Sequence, residues 1–146
     1  MSGEASLRLA AEDGGDLEVI SAAVQDALVR VEGLRFDSRA RRFTLTMDRF
    51  RHEAQRAAAP YERVNAALSF ESVLAVKVKR LRRDAPRAVA AILSMRFEPD
   101  AEPPGGVVRI VLAGGGEIAL TVECVDATLL DFGAPWRTPR RPEHGD

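Results

Sequence analysis

The chain has 146 residues, of which 46% are hydrophobic and 29% are charged, and this is the composition of one globular domain. Its formal net charge of -1 argues against a generally basic nucleic-acid-binding protein. The apolar runs are far shorter than the roughly 20 residues of a membrane-spanning helix, the start has no signal-peptide pattern, and one cysteine excludes an internal disulfide, so we expect a cytoplasmic protein.

The first predicted elements are a short strand and an amphipathic helix near the N-terminus. Residues 1–6 show no pattern and are expected to form a disordered tail. A short strand could follow at 7–9. Asp16 is a suitable N-cap, and apolar residues then recur on one helical stripe as far as Val31. The pattern predicts one helix from about 16 to 30, with one apolar face to bury.

Alternating apolar and polar residues predict antiparallel strands after the helix. Segments 34–36 and 43–47 alternate on either side of a short polar stretch, which indicates a hairpin. Apolar residues at every second position from 64 to 78 predict either one long bent strand or two strands with a turn at 71–73. Residues 84–86 have the capping residue and the proline of a helix start, so we predict a short helix there.

The clearest pattern is a hairpin between 107 and 124, with three glycines at its turn. Glycine takes the positive φ angles that tight hairpin turns require. Cys124 shares the inward parity of the second strand, so its thiol is predicted to be buried and inert. The apolar parity then shifts by one residue, which predicts a β-bulge. Residues 136–146 lack apolar surface and are expected to be a disordered C-terminal tail, which leaves 7–135 as a single globular domain.

Together the elements predict an α+β protein that is mainly antiparallel β. Seven to nine strands would form a bent sheet, a sandwich or a partly open barrel, with one amphipathic helix near the N-terminus. The strands do not alternate regularly with long helices, so a parallel doubly wound sheet is disfavoured. A pleckstrin-homology-like barrel is one candidate, although its helix normally follows the strands.

The chemistry-bearing residues do not form a catalytic or metal-binding pattern. His52 and His144 are the only histidines, and neither has a second His or Cys at ligand spacing. His52 is the only candidate general base of its type. A hydrolase or transferase could pair it with Glu123, Asp126 or Asp131, but we expect a protein that is not an enzyme and needs no cofactor.

The strongest functional signal is a concentration of positive charge. Between Arg39 and Arg87, thirteen Lys and Arg residues stand against five Asp and Glu residues. If they meet on the folded protein, they form a patch for an acidic protein, a phosphate or an RNA backbone; lysines on an edge strand also protect against aggregation. The candidate binding residues are Arg39, Arg41, Arg42, Lys77, Lys79, Arg80, Arg82 and Arg83.

The predicted function is that of a non-enzymatic interaction module, an accessory factor that binds a protein partner through this basic strand face. Binding of RNA or of a nucleotide phosphate through the same residues is the alternative, although aromatic stacking platforms are absent there. A homodimer could form by pairing of an edge strand such as 42–48. Trp136 either packs the tail onto the body or is an exposed anchor for a partner.

Several phrases of the sequence carry a resemblance to a known family. With these phrases, the chain resembles the small conserved alphaproteobacterial proteins that are grouped as a domain of unknown function, over roughly residues 7 to 136. The resemblance implies a single-domain cytosolic protein and carries over no activity and no catalytic residues. The phrases are LEVISAAVQDA at 17–27, ARRFTL at 40–45, MRFEP at 95–99 and LAGGGEIALTVECVDATLLDFG at 112–133.

Overall fold

The computed structural model describes residues 7–54, 61–81, 84–85 and 87–138. Within these ranges the chain forms one α-helix, α1 (Gly14–Val24), one short 3-10 turn (His52–Ala54) and nine strands. The strands are β1 (Arg8–Ala11), β2 (Leu28–Asp37), β3 (Arg42–Phe50), β4 (Tyr61–Phe70), β5 (Val73–Lys79), β6 (Val89–Pro99), β7 (Gly106–Leu112), β8 (Glu117–Val122) and β9 (Ala127–Thr138).

All nine strands form one open antiparallel sheet in the order β1-β9-β4-β3-β2-β6-β7-β8-β5. The joint between β2 and β6 involves only three residue pairs, and it divides the sheet into a first half, β1-β9-β4-β3-β2, and a second half, β6-β7-β8-β5. The edges are β1 and β5, so the sheet is not closed into a barrel. The prediction of a mainly antiparallel, bent sheet with one helix near the N-terminus is confirmed.

One hydrophobic core includes inward-facing residues from both halves of the sheet. It exists because successive side chains of a strand point to opposite faces, so that every second residue can be buried. In β7 the buried and half-buried residues alternate without interruption. The helix α1 adds Leu17, Ile20 and Val24 to this core and packs mainly against β6 and β1.

The helix is shorter than its sequence pattern predicted. It ends at Val24, so the prediction of a helix over 16–30 was wrong in its last six residues. Asp26 takes a positive φ of 68° just after the helix, and β2 begins two residues later. The N-cap is Asp13, whose carboxylate accepts a hydrogen bond from the backbone N–H of Asp16 at 2.7 Å. The predicted cap was therefore assigned three residues too late.

Both predicted hairpins are present, and each turn has a local cause. In the β2–β3 turn, the Asp37 carboxylate accepts hydrogen bonds from the backbone N–H groups of Arg39 and Ala40, both at 3.1 Å. In the β7–β8 turn, Gly114 and Gly115 have φ angles of 88° and 93°. A side chain at either glycine would strain the backbone, because these angles lie in the left-handed region.

Two other connections carry the chain from one half of the sheet to the other. β4 pairs with β3 and β9, whereas β5 pairs with β8, so the 71–73 region is a turn between strands. The bulge predicted after Cys124 was wrong, because β8 ends at Val122 and β9 starts in the other half at Ala127. Cys124 lies between them and is half-buried rather than buried.

Three smaller expectations also differ from the structure. Segment 42–48 belongs to β3, which lies between β2 and β4, so it is not an edge strand. The short helix predicted to open at Pro86 was wrong, because Arg87 and Ala88 are not helical and β6 begins at Val89; Pro86 itself lies outside the described residues. β9 extends to Thr138 and so includes the first three residues of the segment expected to be a tail.

We expect Gly106→Ala to lower the free energy of unfolding by about 1–3 kcal/mol, as overpacking in a tight site does. Gly106 starts β7 opposite Pro99, and an added Cβ would overlap the carbonyl oxygen of Glu98 and lie 2.7 Å from the ring of Phe97. Urea denaturation measures the change. Gly15→Ala, in the first turn of α1, is the control and should change stability by less than about 1 kcal/mol; equal stability of both variants would contradict the expectation.

Candidate binding surfaces

Three of the candidate basic residues lie at the β2–β3 turn. Arg39 is exposed. Arg41 donates to the Glu123 carboxylate at 3.0 Å, and Arg42 donates to the Glu71 carboxylate at 2.7 Å, which raises the pKa of Arg42 above its ordinary value. The two carboxylates belong to the connections that join the halves of the sheet. These two guanidinium groups are therefore already neutralised by carboxylates of the same chain.

Three further candidates lie on or next to the edge strand β5. Lys77, Lys79 and Arg80 are exposed, and within the described part of the chain none of their side chains forms a hydrogen bond or an ion pair. β5 pairs with β8 on one side only. Its free edge thus carries unneutralised positive charge. Arg82 and Arg83, the last two candidates, lie outside the described residues.

The structure does not bring the described candidates together into one patch. The backbone N–H of Val73, at the start of β5, donates to the carbonyl of Arg41 at 2.9 Å. Lys79 is at the other end of the same strand, and the Arg80 side chain extends towards Gly115 of the β7–β8 turn. Six steps along a strand separate the two groups by about 20 Å. The Arg39–Arg42 group and the β5 group are separate surfaces.

A depression of about 410 Å³ lies on the outer face of the sheet and involves both halves, since Val89 of β6 lines it together with residues of β2, β3, β4 and β9. We refer to it as the outer groove, and the residues that define it are Arg30, Glu32, Asp48, Asn65, Val89 and Trp136.

Irregular pairing on both sides produces the outer groove. Val29 pairs with Met47 and Leu34 pairs with Leu45, so that four residues of β2 stand opposite one residue of β3. On the other side, residues 133–135 of β9 are extra residues between two pairs with β4. Bulges of this kind bend a strand and redirect its side chains. They leave an indentation between β2 and the end of β9.

Trp136 forms the wall of the groove on the side of β9. It pairs with Arg63 of β4, and 39% of its surface is exposed. The turn-forming Gly133, with a φ of 76°, precedes it. Its pairing within β9 agrees with the first alternative, packing onto the body of the protein, and its role as an anchor for a partner stays a prediction.

A buried ion cluster lies on the inner face near the end of β3. Arg49 is fully buried. It donates to both oxygens of Asp131, each at 2.7 Å, and to the two oxygens of Glu53 at 2.9 and 2.6 Å. The backbone N–H of Leu7 also donates to Asp131, at 3.1 Å. Asp131, a candidate for acid–base chemistry in the sequence, is thus committed to a structural cluster.

Opposing effects set the charge states in this cluster. Burial alone would lower the pKa of Arg49, but hydrogen bonds to Asp131 and Glu53 raise it above its ordinary value. Partial burial alone would raise the pKa of Glu53, but the hydrogen bonds from Arg49 lower it below its ordinary value. All these contacts favour the charged forms. The side chain of Arg51 adds an ion pair with Glu62 beside the cluster.

His52 connects the short 3-10 turn to the end of α1. Its Nε2 lies 2.9 Å from the carbonyl oxygen of Gln25, and its ring contacts the ring of Phe50 edge-to-face at 4.9 Å. The ring is half-buried. With Nε2 held by a backbone carbonyl, only Nδ1 would be available for proton transfer.

The described residues contain neither a metal-binding cluster nor a membrane-spanning helix. No group of three or more His, Cys, Asp or Glu side chains there is arranged to hold a metal ion. Likewise, none of the helices in those ranges has the length and apolarity to cross a membrane.

Comparison with known proteins gives one match. The model of a family described as "Protein of unknown function (DUF2948)" matches residues 7–144. No curated protein and no solved structure matches the chain. The match covers the segments on which the resemblance was based.

Proposed function

The chain belongs to this family of proteins of unknown function (DUF2948), and from that premise we propose that it is a non-enzymatic interaction module of the cytoplasm that binds an acidic segment of a protein partner at β5. One observation carries the proposal: β5 is an edge of the sheet, and its exposed Lys77 and Lys79 have no acidic neighbour bonded to them in the described chain. The single cysteine of the chain suits a reducing compartment.

The geometry of an edge strand supports the addition of one more strand. Backbone N–H and C=O groups on the free side of β5 are directed away from β8 and can pair with an extended peptide. Lys77 and Lys79 are two residues apart and therefore lie on the same face. A partner strand with Asp or Glu at alternate positions would place opposite charges beside them. Leu74, which is 49% exposed at the start of β5, offers an apolar contact.

The same charges disfavour pairing of β5 with a second copy of itself. An antiparallel pair of two β5 strands would bring lysines of both copies close together, and like charges across strands are destabilising. Lysine on an edge strand is a common means of preventing such association. The lysines of β5 therefore disfavour pairing of two copies of this strand and favour pairing with an acidic segment of another protein.

RNA or nucleotide-phosphate binding at the same lysines is the alternative to be separated by experiment. If the lysines neutralise phosphates, the affinity falls steeply as the salt concentration rises. β5 has the sequence VLAVKVK, with no aromatic side chain on which a base could stack. The protein partner is therefore favoured.

We expect Lys77→Glu/Lys79→Glu to weaken binding of the partner by about tenfold or more, because two favourable cross-strand charge pairs of up to about 1 kcal/mol each become repulsive. Capture from a lysate of the native host, compared by quantitative mass spectrometry and followed by titration of the captured protein, measures the change. Arg8→Glu/Arg35→Glu is the matched control, because it reverses the same number of exposed charges on β1 and β2.

The control variant should retain the partner. If the β5 variant retains every partner of the unmodified protein, the proposed surface is wrong. Loss of the captured material on nuclease treatment, together with a steep salt dependence, would assign the surface to nucleic acid instead.

A further inference from the structure

The charges of the outer groove are of both signs, and one pair of them is unsatisfied. Asp48 accepts a hydrogen bond from Arg63 at 2.7 Å and is therefore neutralised within the protein. Arg30 and Glu32 line the groove and are exposed, and the side chain of neither forms a hydrogen bond or an ion pair with any other described residue. One guanidinium and one carboxylate, separated by a single residue of β2, are therefore available to a ligand.

This pair of charges discriminates between classes of ligand. A simple anion at Arg30 would also approach the carboxylates of Glu32 and Asp48, and a simple cation at Glu32 would approach Arg30. A ligand with one charge of each sign satisfies both groups and introduces no net charge. Electrostatic complementarity of this kind determines which ligand is accepted more than how tightly it binds.

The remaining walls are apolar, with one amide between them. Trp136 and Val89 line the groove and are 39% and 53% exposed. A side chain packed against the indole would remove apolar surface of both groups from water, and an indole offers a large, rigid contact area. The Asn65 amide can donate and accept hydrogen bonds in the same space.

We infer that the outer groove binds a free amino acid with a bulky apolar side chain. The ligand's carboxylate pairs with Arg30, its ammonium group pairs with Glu32, and its side chain packs against Trp136. The enclosed volume of about 410 Å³ is at the lower end of the roughly 300–1,000 Å³ of ligand pockets, as a small ligand requires. None of the residues that line the groove belongs to β5, so the site is separate from the proposed protein-binding edge.

Trp136 makes the test direct, because it is the only tryptophan of the chain. Its fluorescence can be followed while the full chain is titrated with L-phenylalanine and with L-leucine. We expect a saturable change with both. Phenethylamine, which lacks the carboxylate, and 3-phenylpropionate, which lacks the ammonium group, should bind at least about tenfold more weakly than phenylalanine, since each leaves one charge of the groove unpaired.

Variants then assign the two charges. Arg30→Gln should weaken phenylalanine binding about tenfold and should leave the weaker binding of phenethylamine unchanged, because that ligand has no carboxylate to lose. Glu32→Gln should weaken phenylalanine binding and should leave the weaker binding of 3-phenylpropionate unchanged, because that ligand has no ammonium group to pair with Glu32. Arg35→Gln, an exposed arginine on the same strand beyond the groove, is the matched control and should bind like the unmodified protein.

Three outcomes would overturn the inference. The first is the absence of any saturable fluorescence change with either amino acid up to its solubility limit. The second is equal affinity for phenylalanine and for its two singly charged analogues. The third is an equal effect of Arg30→Gln and Arg35→Gln. Circular dichroism of each variant establishes that it is folded, so a loss of binding is attributable to the groove.

Discussion

Replacing Arg49 with methionine is expected to lower the free energy of unfolding by about 3–5 kcal/mol, the cost of removing one partner from a buried ion pair. Arg49 is fully buried, and the Asp131 side chain is only 4% exposed. Without the guanidinium, the Asp131 carboxylate would remain in the core with a single hydrogen bond, from the backbone N–H of Leu7. Urea or guanidinium denaturation followed by circular dichroism gives the change.

Two further variants show how much of the stability loss comes from the unpaired Asp131 charge and how much comes from lost packing. In Arg49→Met/Asp131→Asn the charge is gone, and the amide can still accept from the N–H of Leu7, so most of the lost stability should return. Arg41→Met removes an arginine from an exposed pair with Glu123 and should cost no more than about 1 kcal/mol. A loss below about 1 kcal/mol for Arg49→Met would show that the buried pair contributes little.

Phe70→Ala is the second substitution with a large expected effect, and it should destabilise the protein by about 3–5 kcal/mol. Phe70 is fully buried at the end of β4, where it pairs with Phe43 of β3 and Ala127 of β9. Three strands of the first half meet at this ring, directly before the chain passes to the second half. The cavity left by truncation cannot close easily, because three paired backbones surround it.

The matched control for Phe70 is a phenylalanine on the opposite face of the same half. Phe132 lies on β9 and is 44% exposed, so Phe132→Ala should cost less than about 1 kcal/mol. Denaturation curves with unchanged slopes would show that both variants unfold from the same compact state. Similar losses for the two variants would mean that burial in the core does not govern the contribution of these rings.

Most strands could be predicted from the sequence because one face of each is buried. The β7–β8 hairpin is the clearest case, with apolar residues at alternate positions and glycines at a turn that requires positive φ. The end of α1 could not be predicted in the same way. Ala27 and Val31 fit the strand period as well as the helical stripe, and the signal that decides, the left-handed backbone at Asp26, is not visible in a hydrophobicity pattern.

The connections between the halves misled the prediction for a related reason. A change of apolar parity after Cys124 fits a bulge as well as a passage from one half of the sheet to the other, since both exchange the faces of the strand. Only the pairing partners distinguish them, and pairing is a long-range property. The distance between Arg41, which contacts the start of β5, and Lys79, at the end of β5, also follows only from the pairing of the strands.

The buried ion cluster had a signal in the sequence that could have been used. Arg49 continues the inward parity of Phe43, Leu45 and Met47, and Asp131 continues that of Ala127 and Leu129. A charge at an inward position conflicts with the pattern, and two opposite charges in such positions point to a buried pair. For the outer groove the signals are weaker: Gly33 and Gly133 mark the irregular strands, but not the space between them.

The neighbours of β9 have a consequence for the way in which the protein is made. β9 joins β1 to β4, yet it is translated after every other strand that the structure describes. Until residues 127–138 emerge, β1 has no partner and β4 exposes one unpaired side. A nascent chain with such edges is prone to associate with its neighbours. Translation of β9, rather than of any earlier described strand, therefore permits the first half of the sheet to assemble.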